Sequence, residues 1–416
     1  VPDPKGQWLK PILFEAAFVT AEAVTHKDVR TTASSLGAFC ADLIHLRRKM
    51  MAELRETDPI PQPSPAKDSA ARAENVSRRE ALKRVAAMGA GAAFSAHPIL
   101  TAIPRVDSAP PPGRVDVHHH MLPPFYMDLR RADPNAGQMP TWSPAKSLDD
   151  MEKNGVTTAL LSLAVSGVSF DAGEAGRSLA RKSNDFGAEL VKDHPASFGL
   201  LAALPMPDPK GSLAEMEYAL DTLHADGIAL LSSYGDKWLG DAAYVPVFEE
   251  LNRRKAVVFV HPNVPNCCAN LLPHVPDSSI EFLFDTTRTI ESLLVNGTFS
   301  TFPNVRFIFS HGGGTMPMLA NRIARTFPKD LSAQVPNGVL YELKRQYYDI
   351  ASASNSTSLN ALLSVVPSSQ VLFGSDFPFL SCGVPAGDLV KSGLPGETLK
   401  AIERDNAATL FGRLNG

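Results

Sequence analysis

Cysteine is scarce. The 416 residues contain four (Cys40, Cys267, Cys268 and Cys382), and none falls in a C-x-x-C spacing. That excludes a zinc ribbon and a disulfide framework, and adjacent Cys267 and Cys268 read as packed thiols rather than a bridge. An excess of one charge is also missing. Forty basic against 44 acidic side chains leave a net charge of −4, with a pI near 6.3. Broad nucleic-acid binding normally needs a basic face, so none is expected. No segment is long and apolar enough to insert stably in a membrane. The phosphate-cradling signatures are absent as well: no G-x-G-x-x-G follows the first predicted strand, and no G-x-x-x-x-G-K-S/T occurs. A hydrophobic share of 44% with 20% charged residues leaves an ordinary globular chain with an ample core.

Two regions differ in composition. Residues 1–113 read as a largely non-globular extension. Within it, helix-like apolar spacing occurs near Ile12-Leu13-Phe14 and Leu43-Ile44, and a Pro/Ser/Ala-rich linker runs from Pro59 to about Asn75. Paired Arg78 and Arg79 then precede an Ala/Gly-rich run, and the segment 77–96 resembles a twin-arginine export signal leading to the bacterial periplasm. Ala81 stands where such signals carry a bulky residue, and a cytoplasmic protein with a basic surface helix is the competing reading. The first residue is Val1, and one account of the internal signal starts translation at Met50 or Met51. Five prolines between residues 97 and 113 make a tether.

From 114 to 416 the pattern repeats. Apolar runs occur at Val115–Val117, Val156–Ala164, Phe198–Leu204, Gly227–Leu231, Ala256–Val260, Val305–Phe309, Tyr347–Ala351 and Val371–Phe373. Helical stretches alternate with them: Glu174–Asp193, Ser212–Ala225, Val245–Arg254, Arg288–Gly297 and Met316–Arg325. Uniformly apolar strands alternating with helices imply a parallel sheet buried on both faces. Eight units predict an α/β fold, a (β/α)₈ TIM barrel, with an open doubly wound sheet as the competing geometry.

Functional side chains of such barrels gather at the C-terminal strand ends. Strand one ends in Asp116-Val117-His118-His119-His120, strand five in His261-Pro262, strand six in Ser310-His311-Gly312-Gly313-Gly314, and strand eight in Gly374-Ser375-Asp376. Residues two apart on a strand share a face, so His118 and His120 converge while His119 points away. Each string alone is commonplace. Four strand ends on one side of one barrel, each with a His or Asp, make a metal site the better explanation. Three imidazoles and a carboxylate suit Zn²⁺, with Mn²⁺ where oxygen ligands contribute more, and a further histidine is free for acid–base work.

These strings, together with Phe284-Asp285-Thr286-Thr287-Arg288, resemble the amidohydrolase superfamily. Within it they are similar to the branch of aminocarboxymuconate-semialdehyde decarboxylase and the resorcylate and methylsalicylate decarboxylases. The likeness covers about Arg114 to Leu414. It implies that His118, His120, His261 and Asp376 ligate the metal and that His311 is the acid–base residue. It further implies that Arg322 projects into a neighbouring subunit's site, as in a homodimer, and that Arg288 binds a substrate carboxylate. A surface salt bridge for Arg322 and a fold-supporting role for Arg288 are the plain alternatives. Many superfamily members bridge two metals with a lysine at the end of strand four; here that strand runs into Ser232-Ser233, which favours one metal per subunit.

The resemblance implies a metal-dependent, non-oxidative decarboxylase of a small aromatic or muconate-like carboxylic acid. Either His311 or protonated Asp376 would supply the proton to the product carbon. The runner-up is a metal-dependent hydrolase of a lactone, amide or ester. A catalytically inactive binding barrel is the third reading, and intact ligand positions argue against it. His-Gly-Gly-Gly is also found in lipase oxyanion loops, but no G-x-S-x-G elbow accompanies it.

Overall fold

The structure, a computed structural model, describes residues 113–132, 139–164, 168 and 173–415. The predicted extension, its segment 77–96 and all of the tether but Gly113 lie outside the described residues. Eight strands form one parallel sheet: β1 (Arg114–Met121), β2 (Val156–Leu163), β3 (Phe198–Ala203), β4 (Gly227–Leu231), β5 (Val257–His261), β6 (Arg306–Phe309), β7 (Tyr347–Asp349) and β8 (Val371–Leu372). They pair in chain order. The two ends of the sheet also meet. Val117 N–H donates to Phe373 O (3.0 Å), Asp376 N–H to His118 O (2.8 Å) and His120 N–H to Phe377 O (2.7 Å), so the sheet closes into the predicted barrel. All eight predicted runs are strands, displaced at their ends by a few residues at most.

The helices follow the same logic. The helix α1 (Glu174–Asp193) buries Leu179, Ala180, Ser183, Asn184, Gly187 and Leu190, a stripe at helical spacing. A second, α2 (Val245–Arg254), buries Val247, Phe248 and Leu251 and ends on left-handed Lys255. Two predicted helices begin too late. The run read from Ser212 starts at Pro209, where the Asp208 carboxylate accepts from Gly211 N–H (3.1 Å) as a cap. The run read from Arg288 is the later half of α3 (Glu281–Val295). Its first turns bury Glu281, Asp285, Thr286 and Thr287, and buried polar residues leave no apolar period to read.

Two cores flank the sheet. Val115, Val117, Leu160, Leu201, Val257, Phe259, Ile308 and Leu372 come from six of the strands and fill the barrel interior, closed below by Ala407, Leu410 and Phe411. Neighbouring strand positions such as Leu161, Val258 and Phe307 pack outward in the larger core. On β1 this creates a conflict, because strict alternation from inward Val115 and Val117 would turn His119 inward too. A register irregularity between Asp116 and His119, three residues of β1 spanning two steps of β2, resolves it. A one-residue slip reverses every later side chain, so His118 and His120 face the interior and His119 does not.

The glycine run after β6 is a backbone requirement. Gly314 sits at φ +67° and ψ −126°, and a Cβ there would collide with the Leu283 carbonyl oxygen. Gly314→Ala is therefore expected to lower unfolding free energy by more than the roughly 1–2 kcal/mol of a left-handed backbone alone. Denaturant titration checks this, and an unchanged midpoint would contradict it.

Candidate metal centre

The mouth of the barrel brings the predicted residues together. His118, His261, His311 and Asp376 each offer one donor atom, all within 4.8 Å of one another. His120 joins them: its Nε2 lies 3.1 Å from His118 Nε2 and 3.1 Å from Asp376 Oδ1. Asp376 Oδ1 is also 3.3 Å from His118 Nε2, and Oδ2 is 3.4 Å from His311 Nε2. The Phe259 ring, 4.9 Å from that of His118, forms the floor.

Each ring is aimed from behind. Asp349, the last residue of β7, accepts from His118 Nδ1 (2.9 Å), and Ser162 of β2 bonds His120 Nδ1 (3.0 Å). His261 Nδ1 donates to the Pro262 carbonyl (2.9 Å), which only accepts, so its Nε2 carries a lone pair. His118 is held in the same tautomer by the Asp349 carboxylate. The His118 and His120 Nε2 atoms stand 3.1 Å apart, close enough to require a proton or a cation between them, and nitrogens bound to one ion at about 2.1 Å sit at such a separation. The donor set therefore fits a divalent cation, and a His/Asp metal-binding site is present.

The electrostatics agree. Burial works against a charge on His118, but the Asp349 and Asp376 carboxylates outweigh it and push its pKa up to about 10. Burial holds His120 below its ordinary value, and burial with neighbouring imidazoles holds His261 well below. Burial opposes ionisation of Asp376 too, yet His118, His120 and His311 keep its carboxyl well under the usual range. Without a metal, the centre thus concentrates one positive charge on His118 beside His120 and His261 held neutral, a charge that a bound cation would replace.

Backbone strain marks the same place. His311 (φ +54°) and Asp376 (φ +70°) are left-handed non-glycine residues, a conformation that costs on the order of 1–3 kcal/mol and persists where surroundings over-determine it. Asp349 Oδ1 accepts from His311 N–H (3.1 Å) and Ala351 N–H (2.9 Å), so one carboxylate fixes both the His118 ring and the His311 backbone. Gly374 lets these parts close up, since a Cβ there would lie 2.9 Å from both His118 Cβ and Asp349 Cβ.

Asp349 was not among the residues singled out in the sequence. Its signal was positional, an acid at the end of the seventh strand. Removing its charge while keeping its shape, as Asp349→Asn, is expected to weaken metal affinity by about 10–100-fold. Chelator competition measures this; wild-type affinity would show that Asp349 does not support the ligand.

Where strand four might have carried a bridging lysine, a different cluster stands. The buried Asp285 carboxylate accepts from Ser232 Oγ, Ser233 Oγ (2.8 Å) and Trp238 Nε1 (2.7 Å). Asp285 is thus the anchor within the Phe284–Arg288 string. Arg288 lies on α3 with Nη1 3.9 Å from Glu281 Oε2, and no hydrogen bond or ion pair among the described residues joins it to the histidine cluster. Arg322 lies on α4 (Met316–Thr326) with its side chain exposed and no ion pair among the described residues. The structure therefore gathers the five His and Asp residues, and among the described residues neither arginine bonds to them.

Beside His261 and Ser162 lies a small pocket open to solvent. Leu163, Val168, Ala203, Leu204, Leu230 and Leu231 supply most of its apolar wall. Of its polar lining, Ser162 Oγ bonds His120, and Tyr234 Oη accepts from Leu231 N–H (2.8 Å), which leaves the Tyr234 hydroxyl hydrogen free to donate.

Comparison with known proteins agrees with this geometry. Residues 115–413 match the Amidohydrolase family. The decarboxylase yanB of Aspergillus niger is 38% identical over 326 residues, covering 72% of this chain and 88% of the relative. The 6-methylsalicylic acid decarboxylase of Penicillium expansum is 33% identical over 320 residues, covering 73% and 97%. Among solved structures, an amidohydrolase II superposes with a TM-score of 0.68 at 28% identity, covering 72% of this chain and all of that one. A dihydroxybenzoic acid decarboxylase from Polaromonas, crystallised with bound manganese, superposes with a TM-score of 0.61 at 22% identity, covering 73% and 98%, a likeness of fold. With its barrel, its His/Asp centre and these relatives, the chain belongs to the amidohydrolase family, on the branch that holds the aromatic-acid decarboxylases.

Proposed function

We propose that this protein is a metal-dependent, non-oxidative decarboxylase of a small aromatic carboxylic acid bearing a hydrocarbon substituent. The observation that carries the reading is the juxtaposition of the His/Asp centre with a pocket walled mainly by apolar side chains. A ring with an apolar far edge fits that wall, where a second hydroxyl would find few partners to replace its hydrogen bonds with water. Names of relatives such as 6-methylsalicylic acid decarboxylase point the same way.

His118, His120, His261 and Asp376 hold one divalent cation, Zn²⁺ or Mn²⁺, per chain. When bound, it supplies Lewis-acid polarisation of the substrate's oxygen atoms. Of the two proton donors considered, His311 is favoured. Asp376 is engaged by three imidazoles, whereas His311 Nδ1 is buried without a hydrogen-bond partner. As the bond to the carboxylate breaks, its electron pair stays on the ring carbon, CO₂ leaves, and His311 delivers a proton to that carbon. Arg322, exposed and with no ion pair among the described residues, is available to a second copy in a homodimer. Export through a twin-arginine route rests on residues 77–96 alone.

The metal-loaded protein is to be incubated with 6-alkylsalicylates, dihydroxybenzoates and lactones while CO₂ and acid release are followed. CO₂ release, fastest with an alkylated ring, is the expected result. Acid release without CO₂ would replace the reading with a hydrolase, and two stoichiometric metals per chain would overturn the single-ion assignment. Sedimentation tests the dimer. Sequencing the mature N-terminus from the native cell tests export, which a chain beginning near Val1 would rule out.

A further inference from the structure

Behind the metal centre lies a second buried group of metal-capable side chains, Asp116, His119 and Cys382, with donor atoms within 4.8 Å of one another. Every donor in it already has a partner. Trp142 Nε1, a donor only, bonds Ser147 Oγ (2.9 Å), and Ser147 Oγ lies 2.9 Å from His119 Nε2. His119 Nδ1 faces Asp116 Oδ2 at 3.0 Å and therefore carries the hydrogen, so Ser147 donates to Nε2. The same Asp116 oxygen accepts from Ser375 Oγ (2.5 Å) and contacts Cys382 Sγ (3.6 Å). The His119 nitrogens and both Asp116 carboxylate oxygens are thus engaged within the protein.

This chain of hydrogen bonds ends on the backbone of two ligands. Asp116 Oδ1 accepts from His118 N–H (3.1 Å) and from Ser375 N–H (3.0 Å), one residue before Asp376. Ser375 Oγ in turn accepts from Phe377 N–H (3.0 Å), one residue after it. The His119 ring stacks on Phe377, with centroids 4.7 Å apart and planes 19° from parallel. Left-handed Asp376 is thus held on both sides by groups that converge on His119 and Asp116. The same bonds cross the seam where β8 meets β1.

We infer that His119 is a positioning residue: through Asp116, Ser375 and Phe377 it holds His118 and strained Asp376 in the geometry that receives the cation. The inference rests on the metal-centre reading above. It explains why a histidine that faces away from the centre is wholly buried in a polar chain starting at Trp142.

The test uses the full chain, stripped of metal by a chelator and titrated with Mn²⁺ and Zn²⁺ under chelator competition. Co²⁺ loading adds a visible spectrum that reports ligand geometry. His119→Phe keeps a flat ring over Phe377 but removes both hydrogen bonds; about 10–100-fold weaker metal binding and an altered Co²⁺ spectrum are expected. His119→Asn restores a donor toward Asp116 and should recover most of the affinity and the spectrum. Ser147→Ala, which cuts only the far end of the chain, should fall between wild type and His119→Phe and serves if that variant does not fold. Wild-type affinity and spectrum in His119→Phe, or in Ser147→Ala should it stand in, would overturn the inference. A wild-type chain that takes up no ion would overturn the metal-centre reading, and the inference with it.

Discussion

Replacing His311 with alanine is expected to leave the metal in place and remove turnover, lowering kcat by about 10²–10⁴-fold, the usual contribution of a positioned acid or base. The structure separates the two effects. His118, His120, His261 and Asp376 remain mutually in reach without His311. What His311 lends to the scaffold is its backbone N–H, donated to Asp349, and alanine keeps that bond. Alanine also bears the same left-handed cost that histidine bears at φ +54°. Metal content by elemental analysis and single-turnover CO₂ release should therefore diverge. Unchanged turnover would remove His311 from the reaction, and loss of metal would make it a ligand instead.

The other large effect is expected at His118. His118→Ala removes a ligand and leaves the buried Asp349 carboxylate facing only the His311 and Ala351 amides. Breaking a buried pair in this way costs about 3–5 kcal/mol, so the metal-free variant should unfold at clearly lower denaturant than wild type. His118→Asn divides the consequences. Its side-chain amide reaches Asp349 as Nδ1 does, but presents nothing at the Nε2 position. Stability near wild type with metal affinity lowered by more than about 100-fold is expected, since even an outer partner is worth 10–100-fold. Comparable metal affinity in His118→Asn and wild type would mean the ion is held elsewhere.

Much of this centre was legible before folding. His118, His261, His311 and Asp376 stand at or just beyond the C-terminal ends of β1, β5, β6 and β8, where a closed parallel barrel gathers functional groups. The supporting residues were not legible, because each acts across a large sequence distance. Asp349 meets His118 from 231 positions away, and Ser375 meets Asp116 from 259. Asp285 appeared in the sequence only as one letter of a family string, and its contacts with Ser232, Ser233 and Trp238 exist only once α3 lies over the end of β4. The late start assigned to α3 has the same origin, since its polar first turns are buried for those contacts and carry no apolar rhythm.

His119 sharpens the distinction. Alternation correctly put His118 and His120 on one face and His119 on the other. Alternation continued from Val115 and Val117 would nevertheless have put His119 inward. The irregularity after Asp116 is a property of how β1 pairs with β2, and the β1 sequence carries no mark of it.

By itself, then, the sequence determined the (β/α)₈ class, the strands and the identity of the metal-facing side chains, because burial on both faces and strand-end placement are local patterns of residue type. The tertiary structure alone decided which face of β1 turns inward and which carboxylates aim the histidines. Those outcomes depend on strand register and on hydrogen bonds between residues that only the closed barrel makes neighbours.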